Sequence, residues 1–222
     1  GELQAGKTYG MLINQPSVGT FYFEYRSTIP AIYGAKGNRV ASSLMVRQVL
    51  NDNDVLVDVG TATPGNYVDV GIDIGQTFKV TGASKYITVV GKGDGYLDVV
   101  YQQGPFADNV APTATFTAST SQVKAADSVT FTANAADANG DALAYYWWFS
   151  DGIVGSGTSF TRTFSQSVAT DVTAKLVVSD MKGRSVELST TIAAGASATG
   201  TTPVTVGTAV SYTHLRAHET SL

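Results

Sequence analysis

Apolar and polar side chains alternate with a period of two along many short runs of this chain, and that spacing leaves little choice of architecture. Between Thr20 and Arg26, Phe21, Phe23 and Tyr25 fall on one face of an extended backbone, and Tyr22, Glu24 and Arg26 on the other. This is the pattern of a strand with one buried face. Runs at 43–47, 54–58, 76–80, 86–90 and 96–101 repeat it, separated by Gly, Asn and Asp. Further along, Val129, Phe131 and Ala133 oppose Thr130 and Thr132, while Val172, Ala174, Leu176 and Val178 oppose Thr173 and Lys175. Many short alternating runs punctuated by turn residues predict an all-β fold of sandwich or barrel type. The 23 glycines and the Thr/Val tracts agree with this. The run 31–40, with Gly34, Gly37 and Asn38, carries no period and reads as a loop.

With 222 residues there is room for two small domains. Pro105 and Pro112 bracket small and polar residues between strand-like runs, which marks 107–112 as a linker. A β-sandwich domain is therefore expected at 1–106 and a second at 110–194. The second has candidate strands near 113–118, 127–134, 143–149, 158–164, 170–179 and 184–192. Six or seven strands in about 85 residues is the immunoglobulin-like count. Trp147 and Phe149 fall on its central strand and are expected to fill the core. From Ala193 onward, Ala, Gly, Ser and Thr dominate, and 195–222 is expected to be a disordered tail.

Composition then removes whole classes of function. There is no Cys, and the two histidines, His214 and His218, both lie in the last dozen residues. Before them no Ser-His-Asp triad, Cys-His dyad or His-bearing zinc centre can be assembled. The formal charge of −4 includes no basic block to neutralise a phosphate backbone, so no nucleic-acid partner is expected. No apolar run is long enough for a membrane helix. Carboxylate pairs such as Asp54/Asp58 and Asp69/Asp73 survive this elimination as glycosidase candidates, but each also fits strand ends and turns. The Gly91–Gly95 run lacks the spacing of a phosphate loop and reads as a hairpin turn. Glu24 and Arg26 suggest a surface ion pair, with Arg47 as a neighbour.

Three segments of the second domain carry a resemblance: Asp137-Ala138-Asn139-Gly140-Asp141, Tyr145-Tyr146-Trp147-Trp148-Phe149-Ser150-Asp151-Gly152, and Ser179-Asp180-Met181-Lys182-Gly183. Together they resemble the polycystic-kidney-disease (PKD) domain, whose central string is Tyr-x-Trp-Asp-Phe-Gly-Asp-Gly. Trp148 and Ser150 depart from that string. The resemblance implies an immunoglobulin-like sandwich. It also implies a calcium site, with Asp137, Asn139 and Asp180 as ligands and Asn109 and Asp141 as further oxygen donors. Clustered Asp and Asn beside a tight Gly bend suit calcium, and they equally suit a solvated turn. No zinc is expected. Tyr146 and Trp148, on the face opposite Trp147, are the candidates for contact with a protein or polysaccharide surface. Asp151-Gly152 is read as turn chemistry.

The first domain, over about 20–101, resembles the β-rich region that follows the catalytic domain in secreted gametolysin-type zinc metallopeptidases. The residues that carry this are Phe21 to Arg26, Leu44 to Arg47, Val70 to Phe78 and Ile87 to Val90. Residues 211–222 resemble a translated sequencing-adaptor read-through. Their His214-x-x-x-His218 spacing lacks the glutamate of a zinc helix. The resulting expectation is a non-catalytic accessory fragment of a secreted or cell-surface protein, with the partner catalytic domain upstream of Gly1. The alternative is a module of an adhesin or of a multidomain glycan-degrading protein.

Overall fold

Eighteen strands and no helix make up the computed structural model over its described residues, which are 10–25, 43–51, 53–59, 71–93, 95–164, 170–195, 204–206, 210–212 and 218–219. The chain divides into two units. The first holds Gly1–Asp73, Thr77–Gln103 and Leu215–Leu222, and the second Ile74–Gln76 and Gly104–His214. The division at Gln103 falls slightly ahead of the expected 106, because Phe106 lies beneath the ammonium of Lys182 in the second unit. The predicted loop at 31–40 lies outside the described residues.

In the first unit, β1 (Met11–Gln15), β2 (Gly19–Tyr25), β3 (Leu44–Leu50) and β4 (Asn53–Asp58) form an antiparallel sheet in chain order. β5 (Thr77–Lys79), β6 (Lys85–Gly93) and β7 (Tyr96–Gln103) form another. The alternation read at Phe21 and Phe23 does bury both rings, and Phe78 of the second sheet meets them at centroid distances of 6.3 and 6.0 Å. Ile13, Val46, Ile87 and Val89 are buried with them. The one buried amide in the sheet, Gln48, donates to the Val18 carbonyl at 2.8 Å, so its burial leaves no donor stranded. Arg47 pairs with Asp54 across β3 and β4, and Arg26, the expected partner of Glu24, lies outside the described residues.

The second unit is a two-sheet sandwich. One sheet contains β8 (Thr113–Ala118), β10 (Ser128–Ala136) and β13 (Ser159–Thr163) in the order β13-β10-β8. The other contains β11 (Ala144–Phe149), β12 (Val154–Ser156), β14 (Val172–Ser179) and β15 (Ser185–Ala194) in the order β12-β11-β14-β15. The two-residue β9 (Gln122–Val123) adds a parallel pairing to β15. Trp147 sits fully buried at the centre, edge-on to Phe116 at 5.3 Å, and its indole N–H donates to the Gly157 carbonyl at 2.9 Å. Phe131 touches both Trp147 and Phe149, at 5.7 and 5.0 Å. These contacts fill a core that has no disulfide to close it.

The tail differs from expectation. Val204–Val206 (β16) pairs with β8, Val210–Tyr212 (β17) with β15, and His218–Glu219 (β18) with β4. The physical reason is partly local, since Val204 and Val206 flank Thr205 with strand alternation. The rest is supplied by edge strands that present unpaired backbone groups.

Candidate metal centre

Three polar segments converge at one end of the second unit. β10 runs out into Asp137, whose Oδ1 accepts the backbone N–H groups of Asn139 and Asp141 at 2.8 and 3.2 Å. Asp137 thereby closes its own turn, and Gly140 completes it at φ 73°, a conformation that costs a side-chain-bearing residue. The turn after β14 has the same logic. Asp180 Oδ1 accepts N–H from Lys182 at 2.7 Å and from Arg184 at 2.9 Å, with Met181 held at φ 60° between them. Asn109, at the start of the unit, donates its amide to Asp180 Oδ2 at 2.6 Å and to the Lys182 carbonyl at 3.4 Å.

As a result Asp137, Asp141 and Asp180 each bring an oxygen within 4.8 Å of the others. Three carboxylates this close repel one another, and the ammonium of Lys182, 2.5 Å from Asp141 Oδ1, offsets only part of that charge. Burial pushes the Asp180 carboxyl above its ordinary range against the backbone N–H groups and Asn109, and the charge of Asp137 adds to the rise. Asn109 Oδ1, Asp137 Oδ2 and Asp141 Oδ2 are buried without a hydrogen-bond partner. Such oxygens are costly in a folded protein. A hard divalent cation among the three carboxylates would relieve their repulsion, and a donor set made only of oxygen suits calcium and offers zinc no nitrogen or sulfur.

The structure thus gathers four of the five predicted ligands and reassigns the fifth. Asn139 is exposed; its Oδ1 accepts the Val110 N–H at 2.9 Å and its amide donates to the Asp108 carbonyl at 3.1 Å. It straps the first residues of the unit to the turn, while Asp141, expected as an assistant, is a full member of the cluster. The surface-binding pair also needs correction. Tyr146 is only 5% exposed, so it cannot offer a ring to a partner. Trp148 is half-buried, with Lys175 Nζ 5.7 Å from its ring centroid and Glu187 bonded to that lysine at 2.8 Å.

One feature of this unit escaped the sequence reading. Asp151 forms a two-point contact with Arg162, at 3.0 and 2.5 Å, and the guanidinium lies 4.1 Å from the Phe164 ring centroid and 4.7 Å from that of Phe149. Burial alone would raise the Asp151 carboxyl, but its hydrogen bonds to Arg162 and the charge of that side chain hold it below the ordinary range. The signal was present, because Arg162 occupies an inward position between Phe160 and Phe164 in an alternating strand. Of the carboxylate pairs, Asp54 is held by Arg47, Asp73 is buried, and Asp69 lies outside the described residues.

Residues 109–196 match the family model of the PKD domain. No curated protein and no solved structure matches the chain. The matched span begins at Asn109 and ends two residues past β15, so it takes in both sheets of the sandwich and every member of the carboxylate cluster. The span includes Trp147 at the sandwich centre and the turns at Asp137 and Asp180, and residues 109–196 are a PKD domain with an immunoglobulin-like fold.

Proposed function

We propose that the PKD domain is a calcium-stabilised spacer or binding module of a secreted protein. The observation that carries this reading is the set of three buried, unpartnered oxygens on Asn109, Asp137 and Asp141 beside the Asp180 carboxylate. Asn109 opens the domain and Asp180 lies in its last turn, so an ion held there ties the start of the sandwich to its far strands. Trp148, with Lys175 and Glu187 beside it, is the place for contact with a protein or polysaccharide surface. The parent is read as a secreted metallopeptidase on the sequence resemblance of residues 20–101. A His-Glu-x-x-His helix encoded upstream supports that parentage, and tandem PKD modules with an anchor favour the adhesin alternative.

The test is calorimetric unfolding of the full chain in calcium and in chelator. An ion that binds the folded state stabilises it by RT ln(1 + [L]/Kd), about 2.7 kcal/mol at 100 times Kd. The transition of the second unit is expected to rise by several degrees, and that of the first to stay in place. Asp137→Asn keeps an acceptor for the turn N–H groups while removing a charge, and it is expected to reduce the shift. An unchanged transition in millimolar calcium overturns the reading.

A further inference from the structure

Lys182 takes part in the cluster twice, through its main chain and through its side chain, and the two parts act in opposite directions. Its backbone N–H donates to Asp180 Oδ1 and its carbonyl accepts the Asn109 amide, so the main chain helps shape the cradle. Its side chain turns back, and Nζ donates to Asp141 Oδ1 at 2.5 Å. Asp141 Oδ2 is left buried and unpartnered, as are Asp137 Oδ2 and Asn109 Oδ1. The ammonium therefore satisfies one oxygen of the set and leaves three others without a hydrogen-bond partner. A compact monovalent ammonium has three donors and no capacity to gather six or more oxygens. In that same position Nζ also lies 5.3 Å from the centroid of the Phe106 ring, within the range of a cation–π contact.

We infer that Lys182 is a tethered competitor for the metal ion. In the metal-free domain its ammonium lies on Asp141 and relieves the repulsion among Asp137, Asp141 and Asp180. A divalent ion entering the cluster competes with it for the Asp141 carboxylate, and the repulsion between the two cations drives the ammonium out to solvent. This inference rests on the calcium reading above and adds a consequence to it. The domain folds without metal, and its affinity is weaker than its donor set alone would give, toward the ~10⁻⁴–10⁻³ M range of extracellular calcium modules.

Titration calorimetry of the full chain with calcium chloride, comparing wild type, Lys182→Met and Lys182→Arg, separates the two ideas. Lys182→Met is expected to bind about fivefold more tightly, the gain from removing an ion pair worth ~1 kcal/mol that the metal must otherwise break. Lys182→Arg keeps the competing charge and is expected to bind no more tightly than wild type. Equal affinity in wild type and Lys182→Met overturns the competitor role and leaves the calcium reading standing. Absence of binding in both overturns the calcium reading and this inference with it. Should Lys182→Met fail to fold, acylation of the wild-type amine decides. Labelling of Lys182, read by peptide mass, is expected to increase on adding calcium, and unchanged labelling at saturating calcium overturns the inference.

Discussion

The two units solve the same problem, closing a sandwich without a disulfide, to different degrees. The second surrounds Trp147 with Phe116, Phe131 and Phe149 and buries both inner faces along most of their length. The first joins its sheets through Phe21, Phe23 and Phe78, yet among the described residues it exposes Leu12, Tyr22, Leu50, Val90, Tyr96, Val99 and Tyr101. Among the described residues of the second, only Val110 and Ile153 are comparably exposed. Much of that excess lies on β7, an edge strand on which Val99 and Tyr101 pair with the buried Val89 and Ile87. A row that is core at β6 has become surface at β7.

The largest expected effect comes from removing each core separately. Trp147→Ala is expected to cost the second unit ~3–5 kcal/mol through lost burial and a residual cavity, and Phe78→Ala to cost the first a similar amount. If the units are energetically separate, each substitution moves one calorimetric transition and spares the other. A single transition shifted by both substitutions would break the comparison drawn here.

A smaller effect is expected at Asp151, which holds a buried cation at the end of the second core. Asp151→Ala leaves the Arg162 guanidinium between its two rings without its carboxylate, a loss of ~1–2 kcal/mol after allowing for the partial exposure of Asp151. The dependence on pH has a definite sign. The Asp151 carboxyl is lowered in the folded unit, so its contribution is present above the ordinary carboxylate range and is lost as pH falls through its folded value. Asp180 is raised, so its ionised form burdens the fold at neutral pH, and protonation on acidification lifts that burden. In chelator, Asp180→Asn is therefore expected to steepen the loss of stability on acidification, and Asp151→Ala to flatten it. Unfolding midpoints measured between neutral pH and the carboxylate range check both slopes. The smallest effect is expected at the β7 edge. Tyr101→Thr is expected to change stability by less than ~0.5 kcal/mol while lowering self-association, as seen by light scattering.

Strand-level structure was legible wherever alternation was strict. Val129 to Ala133 and Val172 to Val178 point as their spacing says, because one residue of slip would bury threonines and a lysine. β1 escaped notice because Ile13 is the only buried residue in its five. The site was half legible. The resemblance to the PKD domain pointed to Asp137 and Asp180, but whether Asn139 or Asp141 turns inward depends on where the first residues of the unit run. That path is fixed by Val110 and Asp108 bonding to Asn139, which are contacts between segments far apart in sequence. Tyr146 was misread for a similar reason, since alternation tells which face a side chain takes and not what covers that face. Arg162 was missed because a charge in a strand is ordinarily read as solvated, although its place between Phe160 and Phe164 turned it inward, and Lys182 was missed because its turn gives no such alternation to read.

The chain has two tryptophans, and they are neighbours, one turned into the core of the second unit and one turned outward. Their optical surroundings differ accordingly. Trp147, edge-on to Phe116 and shielded from water, should emit toward the blue and resist dissolved quenchers, while Trp148, beside the ammonium of Lys175, should emit redder and weaker light. Because the first unit has tyrosines but no tryptophan, light absorbed by indole alone reports on the PKD domain and is blind to its neighbour. The protein thus carries a built-in dye on one of its two halves, with an inner and an outer channel that can be read in the same spectrum.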